Sequence, residues 1–134
     1  MGSIESIEGI GAKMGDKLRK AGIRGTATLL SAGGTKAGRK ALAADTGLSE
    51  KNILEWVNRA DLMRVKGVST QYSDLLEAAG VDTVKELATR NADNLFAKMG
   101  EVNDAKKLVR RPPSLSETKK WVAHAKSLKP AISH

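Results

Sequence analysis

Residues 7–23, IEGIGAKMGDKLRKAGI, place Gly9 and Gly11 on either side of an apolar Ile10 and follow them with Lys13 and Lys17. Glycine adopts backbone conformations that a side chain resists, and it lets a ligand approach the main chain closely. The N–H groups at a helix start have no intrahelical acceptor and lie at the positive end of the helix dipole. A turn plugged by Ile10, an open helix start and two lysines one turn apart therefore suit an anion, and a phosphate above all. The frame recurs 58 residues later in VKGVSTQYSDLLEAAGV, residues 65–81, pairing Gly9 with Gly67, Asp16 with Asp74, Leu18 with Leu76, and Gly22 with Gly80. Val68 is the second plug, but Ser69 stands where the first copy has Gly11. Lys66, Gly67 and Ser69 are thus weaker phosphate partners, with Thr70 and Gln71 as further donors.

Other chemistries fare poorly. The chain has no cysteine, hence no thiolate nucleophile, zinc knuckle, iron–sulfur ligand set or disulfide framework. Its acids are scattered singly, with no Asp-x-Asp or Glu-x-x-His cluster to hold divalent ions. His124 and His134 have no evident partner for acid–base work. The expectation is a protein without catalysis, cofactor or metal. Absence of cysteine favours a reducing, cytoplasmic location, nucleoid-associated if the anion is DNA. No run of 18 apolar residues exists, and the start carries Glu5 and Glu8 in place of a basic, then apolar, leader, so neither a membrane span nor a secreted precursor is expected. Gly2 with Ser6 fits a myristoylation pattern only formally.

Lys and Arg number 23 against 15 acids, a net charge of +8 that fits a polyanionic partner or simply a well-solvated surface. The excess is local. From Ala105 onward eight bases (Lys106, Lys107, Arg110, Arg111, Lys119, Lys120, Lys126, Lys129) face the single acid Glu117. Lys106, Lys107, Arg110 and Arg111, then Lys119 and Lys120, would extend an electrostatic footprint.

The elements that position these groups read as all-α, because apolar residues recur at helical spacing between glycines and capping residues. A helix over 12–21 stops at Gly22. Short helices follow over 27–32 and 36–45, the latter capped by Thr35. Ser49 caps a helix to about Met63 that carries Ile53, Trp56, Val57 and Ala60 on one stripe. In the second half helices are expected over 71–79, over 84–89 with a Thr83–Glu86 capping box, from Asn91 through Leu108 with a break near Gly100, and over 115–128 with a Ser114–Glu117 capping box. Arg110 to Pro113 must be an extended connector. Trp56, Val57 and Ala60 match Trp121, Val122 and Ala125 at an offset of 65, so both tryptophans read as core anchors, and Tyr72 as core more readily than as a stacking platform.

Residues 7–23, with their repetition at 65–81, resemble the helix-hairpin-helix motif. At family level the chain resembles the tandem helix-hairpin-helix proteins grouped as domain of unknown function 4332, most closely over Ile7–Ile23, Ser49–Ala79, Val81–Leu87 and Lys106–Trp121. The resemblance implies an all-α fold of tandem repeats, 1–63 and 64–129, packed as one compact pseudo-twofold domain, with 130–134 as a frayed tail. Relatives of this kind are similar to the DNA-binding helical part of flap endonucleases. The implied function is non-sequence-specific binding of double-stranded or branched DNA through its phosphates. The alternative is a non-catalytic structural or protein-interaction module that keeps the fold without DNA, and the oligomeric state stays open.

Overall fold

Caps and glycines set most of the helix limits in the computed structural model, which describes residues 3–7 and 9–133. The Gly2 lipidation pattern, Glu8 of the first turn and the terminal His134 lie outside the described residues. Among the described residues, a 3₁₀ turn at Ile4–Ser6 precedes eight helices: α1 (Ala12–Lys20), α2 (Thr26–Gly33), α3 (Lys36–Thr46), α4 (Glu50–Leu62), α5 (Thr70–Ala78), α6 (Val84–Leu87), α7 (Ala92–Lys106) and α8 (Leu115–Ser127). The described residues are all-helical, with an isolated antiparallel bridge between Ser3 and Gly25. None of their helices is long and apolar enough to cross a membrane.

The chain divides into two compact units, Met1–Asp61 with Ala131–His134, and Leu62–Pro130. In the first, Ile4, Ile7, Leu18, Leu29, Ile53 and Val57 are buried beside Trp56. In the second, Leu62, Leu75, Leu76, Leu87, Met99 and Trp121 form the centre of one apolar cluster. With so few aromatics, both cores rest mainly on aliphatic burial, worth roughly 1.5–3 kcal/mol per large side chain.

Both α1 and α5 stop in the same way. Gly22 and Gly80 take φ of 88° and 94°, which an L side chain rarely adopts. This lets Ile23 N–H reach the Leu18 carbonyl and Val81 N–H the Leu76 carbonyl, each at 2.9 Å. Each bond satisfies a carbonyl that the helix leaves open. Thr35, Asn91 and Ser114 accept the backbone N–H three residues ahead, as the cap patterns predict, and Ser49 Oγ accepts from Asn52 N–H at 3.1 Å.

Three expectations need correction. The Thr83 capping box forms only by half: Thr83 Oγ1 accepts from Glu86 N–H at 3.2 Å, while the Glu86 carboxylate turns to Arg90, four residues on. The short α6 spans Val84–Leu87, ending two residues before Thr89. α7 runs unbroken through Gly100, since the roughly 1 kcal/mol cost of a helical glycine is offset by burial of Leu95 and Met99 on the same helix. It stops at Lys106, short of Leu108, where the buried Asn103 amide clips the chain by accepting from Val109 N–H at 2.9 Å and donating to the Val109 carbonyl at 3.1 Å. Finally, the supposed frayed tail is held in the first unit. Ser133 N–H donates to the Gly34 carbonyl at 2.8 Å, and the buried Arg39 donates to the Ser133 and Gly33 carbonyls at 2.7 and 2.9 Å.

Candidate functional site

At the first turn, Ile10 N–H donates to the Ile7 carbonyl at 3.2 Å, and Gly9 takes φ 94°, the conformation a glycine-bearing tight turn demands. A Cβ at Gly9 would also lie 3.4 Å from Trp56 Nε1. Ile10 is 5% exposed and plugs the core as its type requires. Gly11 is different. It is the N-cap of α1, with φ −84° and ψ 179°, an extended backbone that any residue adopts. A Cβ there would meet nothing within 4 Å. The fold does not demand a glycine at 11, so what that glycine provides is open space in front of α1. Lacking a side-chain cap, it leaves the N–H groups of Ala12, Lys13 and Met14 without a capping oxygen. Lys13 and Lys17 are exposed on that helix.

On the same helix Arg19 is drawn away from any ligand. It pairs with Glu5 and Asp16, which raise its pKa further, the Glu5 hydrogen bond most. Arg19 holds the 3₁₀ turn to α1, and a Cβ on Gly15 would come 2.8 Å from Glu5 Oε1. This ion cluster was not apparent from the sequence.

The second turn has the same backbone with different donors. Gly67 takes φ 91°, Val68 N–H donates to the Val65 carbonyl at 3.0 Å, and a Gly67 Cβ would sit 3.1 Å from Trp121 Nε1. Ser69, at φ −83° and ψ 178°, superposes conformationally on Gly11. Its Oγ, however, accepts from Tyr72 N–H at 3.3 Å. Lys66 N–H is also taken, donating to His124 Nδ1 at 3.0 Å. Of the three amides left uncapped at the start of α1, the counterpart of Met14 N–H, that of Tyr72, is thus capped by a side chain at the second turn.

Around the second turn lies a pocket of about 350 Å³ lined by Lys66, Gly67, Glu117, Lys120, Trp121 and His124. Trp121 is buried at 2% exposure and packs on Tyr72, ring centroids 5.2 Å apart at 53°. Trp56, at 4%, is likewise a core side chain. Tyr72 O–H donates to the Arg111 carbonyl at 2.9 Å, so it is fastened into the unit.

The basic residues after α7 divide by role. Arg111 grips both Glu117 oxygens at 3.1 and 3.2 Å, while Ser114 and Glu117 close a full capping box. The Ser114 N–H and then Arg111 hold the Glu117 carboxyl below its usual range, and Glu117 raises the Arg111 pKa in return. Arg111 is thus a brace for α8. Lys106 ends α7, Lys107 caps it in the left-handed region at φ 53°, and both are exposed, as is Arg110. None of these three lines the pocket; Lys120 does. Among the described residues no three His, Asp or Glu side chains converge to hold a metal ion.

The sequence matches the family described as Domain of unknown function (DUF4332) over residues 8–128. No curated protein and no solved structure matches it. The chain belongs to the DUF4332 family.

Proposed function

We propose that this member of the DUF4332 family binds DNA without sequence preference, as a tandem helix-hairpin-helix protein that grips the phosphate backbone. The observation that carries this reading is the uncapped start of α1 behind Gly11. There a glycine that the fold does not need keeps three amides and a dipole end accessible beside Lys13 and Lys17. Such contacts position a duplex without reading its bases. In the second repeat Ser69 and His124 already occupy turn donors, so that turn contributes through the Lys66 side chain. Lys106, Lys107 and Arg110 add long-range attraction, whereas Arg111 is committed to Glu117. The partner is double-stranded or branched DNA, met in the cytoplasm or nucleoid, with no catalytic step.

The second turn supports another reading for its own half, a packing corner suited to a protein-interaction module, because Ser69 caps its helix start and keeps the fold with one fewer open donor. The two are separated by adding a random-sequence duplex to ¹⁵N-labelled protein. Backbone binding moves the amide resonances of Ala12, Lys13 and Met14. A spectrum that leaves those three unmoved under low salt rejects the phosphate reading.

A further inference from the structure

The pocket beside the second turn has features that a packing corner does not require. Two exposed ammonium groups, Lys66 and Lys120, line it together with His124. Because His124 Nδ1 accepts the Lys66 N–H at 3.0 Å, the neutral ring carries its proton on Nε2, a third donor. Glu117 is the one acidic group in the lining, and its charge is matched by Arg111 through two bonds of 3.1 and 3.2 Å. The pocket therefore presents about two uncompensated positive charges and an imidazole N–H. Its floor is of another character: bare Gly67, where a Cβ would crowd Trp121 Nε1 at 3.1 Å, and the indole of Trp121 itself.

Charge and size select the ligand. A phosphomonoester carries about two negative charges near pH 7 and three acceptor oxygens, matching two lysines and an imidazole N–H. A backbone phosphodiester carries one. At about 350 Å³ the pocket lies in the lower part of the roughly 300–1,000 Å³ range of small-molecule sites. That leaves room for an organic group attached to the phosphate.

We propose that this pocket binds a phosphomonoester, with its phosphate on Lys66, Lys120 and His124 and its organic part over Gly67 and Trp121. This goes beyond the backbone contact proposed for the first unit and does not depend on it. The phosphomonoester is either a free metabolite or the phosphorylated end of a nucleic-acid strand, which share this chemistry.

The test is a titration of the ¹⁵N-labelled full chain with adenosine 5′-monophosphate, adenosine and inorganic phosphate in turn. The monophosphate is expected to shift the Lys66 amide and the Trp121 indole N–H, and adenosine to leave both in place. Lys120→Glu, at an exposed position, weakens binding about tenfold or more, whereas Lys126→Glu, with the same charge change outside this pocket, weakens it less than about twofold. Adenosine binding as well as its monophosphate, no shift at Lys66 and Trp121, or equal losses in both variants would overturn the proposal. Competition by a 5′-phosphorylated oligonucleotide, and none by its unphosphorylated form, assigns the source to a strand end; no competition by either assigns it to a free phosphoester. The first-unit contact is read at Ala12 to Met14, so the two ideas fail separately.

Discussion

Replacing Gly11 with serine separates what the fold needs from what a phosphate needs. Gly11 and Ser69 share one backbone conformation, φ −84° and ψ 179° against φ −83° and ψ 178°. A Cβ at 11 has nothing within 4 Å, so Gly11→Ser enters without strain. Its Oγ should then accept from Met14 N–H as Ser69 accepts from Tyr72 N–H. Serine exceeds glycine as an N-cap by a few tenths of a kcal/mol, and loss of a flexible glycine from the unfolded chain adds about 0.4–1 kcal/mol. The variant should therefore be more stable by about 0.5–1 kcal/mol, a rise in melting temperature of about 2–4 °C. Duplex binding moves the other way. One amide withdrawn from a phosphate costs about 1.5–3 kcal/mol of charge-assisted hydrogen bonding, at least about tenfold in affinity. Calorimetric melting and fluorescence anisotropy on one preparation read both effects. A variant that melts higher and binds duplex as tightly as the parent would refute the reasoning, because the open amide would then serve no phosphate.

Other outcomes follow from single residues. Gly67→Ala, which forces a side chain to φ 91° and a Cβ 3.1 Å from Trp121 Nε1, should destabilise by about 1–2 kcal/mol or more in urea melts; a neutral effect would contradict the turn geometry. Arg39→Met strands the Gly33 and Ser133 carbonyls, at about 1–3 kcal/mol for an unsatisfied buried group, and should raise hydrogen exchange at Ser133 N–H, which bonds Gly34. Glu117 has a folded pKa below its unfolded value. Its contribution is therefore complete above the unfolded pKa of about 4.3 and is lost as pH falls through the folded one. Glu117→Gln should flatten stability against pH in that acid window, because it removes the titrating partner of Arg111; an identical acid profile in the variant would contradict the assignment.

Features governed by neighbours in sequence were the legible ones. Helix starts at Thr35, Ser49, Asn91 and Ser114, stops at Gly22 and Gly80, and burial of Trp56 and Trp121 all follow from local rules of capping and periodicity. Contacts between distant positions left no such mark. Arg39 meets Ser133 across 94 residues and Lys66 meets His124 across 58; nothing in either local pattern predicts the partner. Gly33, Gly34 and Gly38 show the same limit. They look like flexible punctuation, yet added Cβ atoms would lie 2.6, 2.6 and 2.1 Å from Val57 Cγ2, the Ala131 carbonyl and the Ala32 carbonyl, so each marks a close approach of chain to chain. At the candidate site, Gly9 and Gly11 looked equivalent in sequence. One answers to backbone conformation and the other to empty space in front of a helix.

The most direct measurement of the central claim is duplex affinity by fluorescence anisotropy across a salt series, for the parent chain and for Gly11→Asp. Phosphate gripping at the first turn predicts a log–log slope of about −4 to −7, the release of about 5–8 counterions, with affinity falling sharply once a carboxylate stands before the open amides of α1. Affinity that is absent at low salt, or that is the same in Gly11→Asp as in the parent, would contradict it.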